Sequence, residues 1–333
     1  MKTSGSRHQQ VLPPLSRREL LRRLALLGVA AGGFATLAGL GYSRDPVRRP
    51  EELVHRLKDF RVEASSVLPE LVVVRGTRVD AMVRDAVDRL GGIHRFVAKG
   101  ERVLLKPNVG WDRQPEQAAN TNPEVVGAMA RLCRDAGAKE VWVSDMSLND
   151  PPRCFARSGI QAAAQDAGAK ILLPGRDDFW LTDLGGDLLK HWPVARIFHQ
   201  VDRLINLPVV KHHSLCGCTL AMKNWYGALG GRRNQLHQRI HTSIVDLAAA
   251  LRPSLTLMDA TRILKRNGPT GGSLDDVAVE NTLVAGLDEV AIDAYCLQFL
   301  GLQADAVPFL ALGEQRGLGR VDWRVRRLVE SQV

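Results

Sequence analysis

The 333-residue chain lacks most of the short signatures by which an enzyme class declares itself. There is no Gly-x-Gly-x-x-Gly turn for a dinucleotide, no Gly-Lys-Ser/Thr ending for a P-loop and no nucleophile elbow. An arginine-rich arm, a zinc finger and an aromatic-basic motif are all missing, which argues against nucleic acid as a partner. Sequence repeats and low-complexity tracts are absent too. Cysteine is scarce and odd in number: Cys133, Cys154, Cys216, Cys218 and Cys296 cannot make a complete disulfide framework. Cys133 and Cys296 fall in apolar helical patterns and read as core, and Cys154 follows a Pro-Pro turn and says nothing.

The formal net charge of +9 is less telling than it looks. Residues 1–42 hold Lys2, Arg7, Arg17, Arg18, Arg22 and Arg23 against Glu19, so five of the nine excess charges lie there. The rest of the chain has only a mild excess, which bears on solubility and steering. With 45% hydrophobic and 24% charged residues, the composition is that of an ordinary globular protein with ample length for a core.

Residues 1–42 have the layout of an export signal. A basic stretch ends in Ser16-Arg17-Arg18-Glu19-Leu20-Leu21, and a weakly apolar run follows from Leu24 to Tyr42. A charged, proline-bearing stretch, Ser43-Arg44-Asp45-Pro46, closes it. Paired arginines before the apolar run mark the twin-arginine type, so the twin-arginine translocase is an expected partner. An amphipathic surface helix does not fit, because Leu24–Leu40 has no charged face. The run is about long enough to span a bilayer, and no clear Ala-x-Ala site follows, so a cleaved signal and a retained membrane anchor both stay open. The expected location is the periplasm or the outer face of the cytoplasmic membrane. The pathway that the signal resembles carries folded cargo, often cargo that has already received a cofactor.

From residue 71 onward apolar strands alternate with helices. Strands are expected at Leu71–Arg75, Arg102–Lys106, Glu140–Asp145, Lys170–Leu173, Arg203–Val210, Ser254–Met258 and Asn281–Ala285. Helices are expected at Val79–Val97, from Asn122 to Ala136, at Phe155–Ala167, Thr219–Leu229, Leu236–Leu251 and Glu289–Leu300. Continuous apolar strands separated by helices imply an α/β fold, a mostly parallel sheet with helices on both faces. The division is a signal or anchor at 1–42, a linker at 43–69, the α/β domain at 70–303 and a C-terminal tail at 304–333. The turn-rich stretch from Arg176 to Gln200 would allow two halves, 70–175 and 200–303.

In such sheets ligands bind beyond the carboxyl ends of the strands. Four strands here end in polar residues: Lys106 with Asn108, Asp145, Lys211-His212-His213, and Asp259. Each alone is an ordinary loop charge, and their convergence on one rim is the functional signal. If residues 211–218 are extended, His212, Cys216 and Cys218 share one side and form a candidate soft metal set. A labile thiol pair, or small buried residues beside a turn, are the plainer readings. His237 and His241, four apart in an expected helix, lie about 40° apart on one face. That spacing suits two metal ligands, although no glutamate follows in the metalloprotease pattern and Asp246 lies about 140° away. Lys223-Asn224, with Lys106 and Lys211, would make a cationic pocket. The loop Asn267-Gly268-Pro269-Thr270-Gly271-Gly272 offers backbone amides to an anion, with Asn267, Gly271 and Gly272 as its contacts.

At Val103-Leu104-Leu105-Lys106-Pro107-Asn108, Thr121-Asn122-Pro123-Glu124 and Ala136-Gly137-Ala138 the chain resembles the bacterial and archaeal domain-of-unknown-function 362 family. Asn206 to His213, Met222-Lys223-Asn224-Trp225-Tyr226-Gly227 and Asp246-Leu247 extend the resemblance from Leu71 to Gly301. It implies fold and export context more than a reaction. Some members carry ferredoxin-type clusters, but the Cys-x-x-Cys-x-x-Cys pattern is missing here. In general layout alone there is a remoter likeness to nickel-pincer lactate racemase proteins. The leading expectation is an envelope enzyme of open reaction class acting on a small anionic ligand. Lys106, Lys211 and Lys223 would hold the anion. His212, His213, His237 and His241 would bind a metal or move protons, and Asp145 and Asp259 would orient a histidine or ligate a cation. A metal ion or an iron–sulfur cluster is the candidate cofactor. The alternatives are a redox or metal-handling accessory working through Cys216 and Cys218, and an envelope solute-binding protein.

Overall fold

The computed structural model describes Arg18 and residues 53–333. The expected export signal therefore lies, but for Arg18, outside the described residues. Residues 53–333 form one compact unit.

The elements run β1 (His55–Arg56), β2 (Leu71–Arg75), α1 (Val79–Arg89), β3 (Arg102–Pro107), α2 (Pro123–Asp135), β4 (Glu140–Val143), α3 (Pro151–Arg157), α4 (Ile160–Asp166) and β5 (Lys170–Ile171). Next come β6 (Phe179–Asp183), β7 (His191–Ala195), α5 (Ile197–Gln200), β8 (Arg203–Leu207), β9 (Val209–His213), β10 (Gly217–Thr219), α6 (Ala221–Asn224) and α7 (Ile240–Ala250). The chain closes with β11 (Leu255–Leu264), β12 (Val277–Gly286), α8 (Glu289–Leu300), α9 (Pro308–Gln315) and β13 (Leu328–Gln332). The main sheet has the order β13-β2-β12-β11-β8-β3-β4-β5, with β9 also on β11 and β10 on β9. Along that order only the two pairings of β12 are antiparallel, so the α/β, mostly parallel expectation holds.

Side-chain alternation divides the core between the two faces of this sheet. Leu71, Val73 and Leu104 pack with α7, α8 and α9, while Val72, Val74, Val103 and Leu105 pack with α1, α2 and α4. Both expected halves thus supply strands to one sheet. The turn-rich stretch forms a hairpin, β6–β7, which with β1 makes a small second sheet. Residues 304–333, expected as a tail, return to the main sheet, where β13 pairs in parallel with β2.

Several helices are shorter than their apolar periods suggest. α1 stops at Arg89 before Gly91 and Gly92. The expected helix Phe155–Ala167 is two helices, because Gly159 takes a left-handed φ of 74° between them. Only α6 is α-helical within Thr219–Leu229, and Trp225–Ala228 tightens to 3-10 form. Leu236–Leu251 begins as a 3-10 helix, Arg233–Arg239, before α7. The α2 start is as expected: the Asn122 side chain accepts from Glu124 N at 3.0 Å and Pro123 takes the first turn. Among the described residues no helix is long and apolar enough to cross a membrane.

Asp246 on α7 is fully buried and ties the β6–β7 turn to the helix. Its carboxylate accepts from the backbone N–H groups of Asp187 (3.1 Å), Leu188 (2.8 Å) and Leu189 (2.9 Å), and pairs with Arg316. Removing it strands these donors and leaves Arg316 with only a 3.7 Å contact to the exposed Asp187. Asp246→Ala should cost about 3–5 kcal/mol, read as a lower urea midpoint at unchanged slope; an unaltered midpoint would contradict this account.

Candidate functional site

Three strand ends meet where β3, β4 and β9 finish. Lys106, in β3, is completely buried, and its ammonium donates to Asp145 Oδ1 (2.7 Å), Pro107 O (2.9 Å) and Asn224 Oδ1 (3.1 Å). A lysine has three protons to give, so none is left for a ligand. The second Asp145 oxygen accepts from Val109 N at 2.6 Å. A buried carboxylate and ammonium in this arrangement are mutually compensated, and removing either leaves a costly lone charge. Gly227 packs against the pair so closely that a Cβ there would lie 1.7 Å from Asp145 Oδ1 and 2.7 Å from Lys106 Nζ.

Asn224, at the end of α6, extends the network. Its Nδ2 donates to Lys106 O (3.2 Å) and Asn206 Oδ1 (2.8 Å), and its Oδ1 also accepts from Asn108 Nδ2 (2.9 Å). Asn108 Oδ1 accepts from Lys211 Nζ (2.8 Å), which also donates to Ala119 O (2.6 Å). Behind them Asn206 Nδ2 reaches Glu289 Oε1 (2.6 Å), and Trp225 Nε1 reaches Glu289 Oε2 (2.9 Å). Asp293 fixes α6 itself by accepting from Ala221 N (2.7 Å) and Met222 N (3.1 Å).

In front of this network lies a cavity of about 220 Å³. Lys211, Lys223, Arg233, His213 and His237 line it, together with Asn108 and Asn224. Its one lining carboxylate among the described residues, Asp145, is spent on Lys106 and Val109. Lys223 is 7% exposed, and among the described residues its ammonium has neither a hydrogen-bond nor an ion-pair partner; it sits 4.5 Å from the centre of the Tyr226 ring. Arg233 is held from behind by Tyr226 O (3.2 Å) and Ser147 O (2.8 Å).

Burial and mutual repulsion weaken the protonated forms here. Burial, with Lys223 adding to it, pushes Lys211 down to about 7, against the pull of Asp145. Lys223 is lowered by burial, with Arg233 contributing. His213 is pushed down to about 2 by burial and then by Lys223 and Lys211, so it is neutral at working pH. Its Nδ1 accepts from Leu215 N at 3.1 Å, which leaves the ring proton on Nε2. His237 is lowered by burial, opposed by Asn234 O and helped by Lys223. The site is a cation-rich pocket with one lysine titrating near neutrality.

The expected residues divide unevenly. Lys211, His213, Lys223, Asn108, Asn224, His237 and Asp145 line the cavity, whereas Lys106 stands behind it as a strut. His212 does not join them: strand alternation sends it to the other face of β9, where its Nδ1 accepts from Gly268 N at 3.2 Å. Lys211 and His213, two apart, share the cavity side with Thr219, which pairs opposite Lys211. Cys218 pairs opposite His212 and is buried in the core; Cys216 is buried beside it, its thiol on Cys218 O at 3.1 Å and pushed up to about 11 by burial. His241 sits on α7 against Phe309, their ring centres 6.2 Å apart, while His237 belongs to the 3-10 segment, so the two do not share an α-helical face. Asp259 lies inside a strand longer than expected, where it accepts from Asn122 N (2.7 Å) and from Thr261 N (2.9 Å) and Oγ1 (2.6 Å). Asn267 holds Asp276 at 2.8 Å, and the Gly271 and Gly272 carbonyls accept from Arg113 (3.5 Å) and Gln117 (2.7 Å); of that loop Pro269 reaches the cavity.

These placements do not fit the expected metal ion or iron–sulfur cluster. Among the described residues no three His, Cys, Asp or Glu side chains come together as a ligand set. Sequence reasoning missed Arg233, which no strand end or motif marks, and it assigned no role to Tyr226 or Gly227.

Fold and site together define an α/β protein with a cationic cavity at its strand tips. The chain belongs to the DUF362 family, a domain of unknown function, whose description matches residues 103–298. It is 30% identical over 252 residues to a thylakoid-associated protein of Synechocystis sp., an alignment covering 72% of this chain and 75% of the relative. Among solved structures, the lactate racemase apoprotein of Thermoanaerobacterium thermosaccharolyticum matches at 13% identity with a TM-score of 0.39 over 74% of this chain. A protein of Thermotoga maritima matches at 11% identity with a TM-score of 0.34 over 71% of this chain. The chain spans 59% of the length of each, and nothing about reaction or cofactor follows from either likeness.

Because a side chain at position 227 must displace the Lys106–Asp145 pair, Gly227→Ala should destabilise the protein by about 3–5 kcal/mol. Chemical denaturation checks this; a variant as stable as the parent would show that the pair does not hold the strand ends.

Proposed function

We propose that this protein is a cell-envelope enzyme that binds a small anionic substrate in the cavity and moves a proton there. One observation carries the reading: Lys211, Lys223 and Arg233 face the cavity while the only carboxylate that lines it among the described residues is already paired. An anion placed among them would relieve repulsion that the folded protein otherwise sustains. The room, about 220 Å³, suits a small carboxylate or phosphate ester. Lys211 has the proton affinity of a general acid–base near neutral pH, and Asn108 and Ala119 O fix its position. Neutral His213 supplies a hydrogen-bond donor that adds no further charge.

Sulfate tests the anion site, since its own charge is constant above acid pH. Bound sulfate favours the Lys211 ammonium, so the complex keeps a proton that the free protein sheds above about pH 7. Affinity measured by calorimetry should be level below that pH and fall as pH rises, by up to about tenfold per unit. Lys223→Met should weaken binding about 10- to 100-fold, the worth of a charge-assisted hydrogen bond. A flat pH profile and an unaffected variant would remove the proposal.

Delivery to the envelope rests on Ser16-Arg17-Arg18-Glu19-Leu20-Leu21 and the apolar run after it. The Synechocystis relative, described as thylakoid-associated, supports a membrane-side location. Changing Arg17 and Arg18 together to Lys should hold the protein in the cytoplasm, as read by fractionation of cells making the full chain. Undiminished export of that variant would mean another route.

A further inference from the structure

We propose that Lys223 is a nucleophile that forms an imine with the carbonyl carbon of a small 2-oxo carboxylate, whose carboxylate is received by Lys211 and Arg233. This rests on the anion-binding reading and names the substrate class of the same site.

The three lysines around the strand ends are not equivalent. Lys106 is used up by three acceptors and Lys211 is anchored by two. Lys223 lines the same cavity, is 93% buried by its 7% exposure, and has no acceptor among the described residues. A buried ammonium without an acceptor is costly, so its proton affinity falls and the share of free amine, the form that attacks carbonyls, rises. Lysines desolvated beside other cations are the ones that serve this chemistry, and burial and Arg233 both lower Lys223. The backbone that carries it is rigid: Asp293 binds the N–H groups of Ala221 and Met222, and Asn224 is locked into the Lys106 network. Tyr226 adds a second observation. Its ring lies against the amine, whose nitrogen is 4.5 Å from the ring centre, and the residue lines the cavity.

The step balances without any further reactant. The amine nitrogen adds to the carbonyl carbon, and the C–O π pair moves to oxygen. Both amine hydrogens then leave with that oxygen as one water, which yields the C=N bond. A carboxylate held by Lys211 and Arg233 would orient the carbonyl.

Pyruvate, the smallest ketone that bears a carboxylate at the adjacent carbon, is the probe. The full chain is incubated with pyruvate, reduced with borohydride and mapped by peptide mass spectrometry, and sulfate stabilisation is measured in parallel. The expected result is a pyruvate-dependent adduct on the Lys223 peptide, near one per chain, that sulfate suppresses. Lys223→Arg keeps the charge but lacks the amine, so it should lose the adduct while sulfate affinity changes only a few-fold. Should that variant not fold, mapping of the unaltered chain decides alone. An adduct on Lys211, adducts spread evenly over surface lysines, or none at all despite sulfate binding would overturn the imine and leave the anion site standing. Absence of sulfate binding together with absence of an adduct would overturn both.

Discussion

The buried pair between Lys106 and Asp145, 2.7 Å apart, is the constraint on which the site depends. It joins the ends of β3 and β4, and through Asn224 it also holds the segment that carries Lys223, Tyr226 and Gly227. Such a pair gains little over an apolar core in stability alone. Its effect here is geometric. All three Lys106 protons are committed and each Asp145 oxygen is held by a donor, so the carboxylate is fixed facing Lys106 and not the lysines in front of it. The cavity therefore keeps its positive charge.

The amide network spreads that constraint. Asn108, Asn206 and Asn224 pass hydrogen bonds from Lys211 at the cavity to Glu289 on α8, so a side chain in the pocket is held from the opposite layer. Burial raises the proton affinity of Glu289 and Asp293, yet each is satisfied by donors from the segment that it supports. A fully connected polar network fixes one arrangement, whereas a partly satisfied one is a liability. The Lys223 amine, left outside it, belongs to the cavity. This contrast between saturated supports and an unsatisfied lining amine is what makes the lining read as a binding surface.

The cysteines and the outlying histidines show how a sequence pattern can point at the wrong chemistry. Cys216 and Cys218 share sequence parity with His212, but only Cys218 pairs opposite it, on the side away from Lys211 and His213, while Cys216 lies in the turn before Gly217 with its thiol on Cys218 O. His237 and His241 have helical spacing, but the chain between them changes from 3-10 to α geometry, which rotates one away from the other. Asp259 follows an apolar run that has not ended, because pairing with β12 carries β11 on to Leu264.

The sequence by itself determined the α/β alternation, the apolar strands buried on both faces and the caps that begin helices such as α2, because these depend on local periodicity and on single residues such as Asn122 and Pro123. It also marked Lys106, Asp145 and Lys211 as strand-end residues that would converge. Only the tertiary structure decided which of them is strut and which is lining. That difference depends on partners about 39 to 118 residues away, such as Asp145 and Asn224 around Lys106. It also recruited Arg233, and it placed β13 beside β2, because a weakly patterned edge strand gains its place from a partner and not from its own residues.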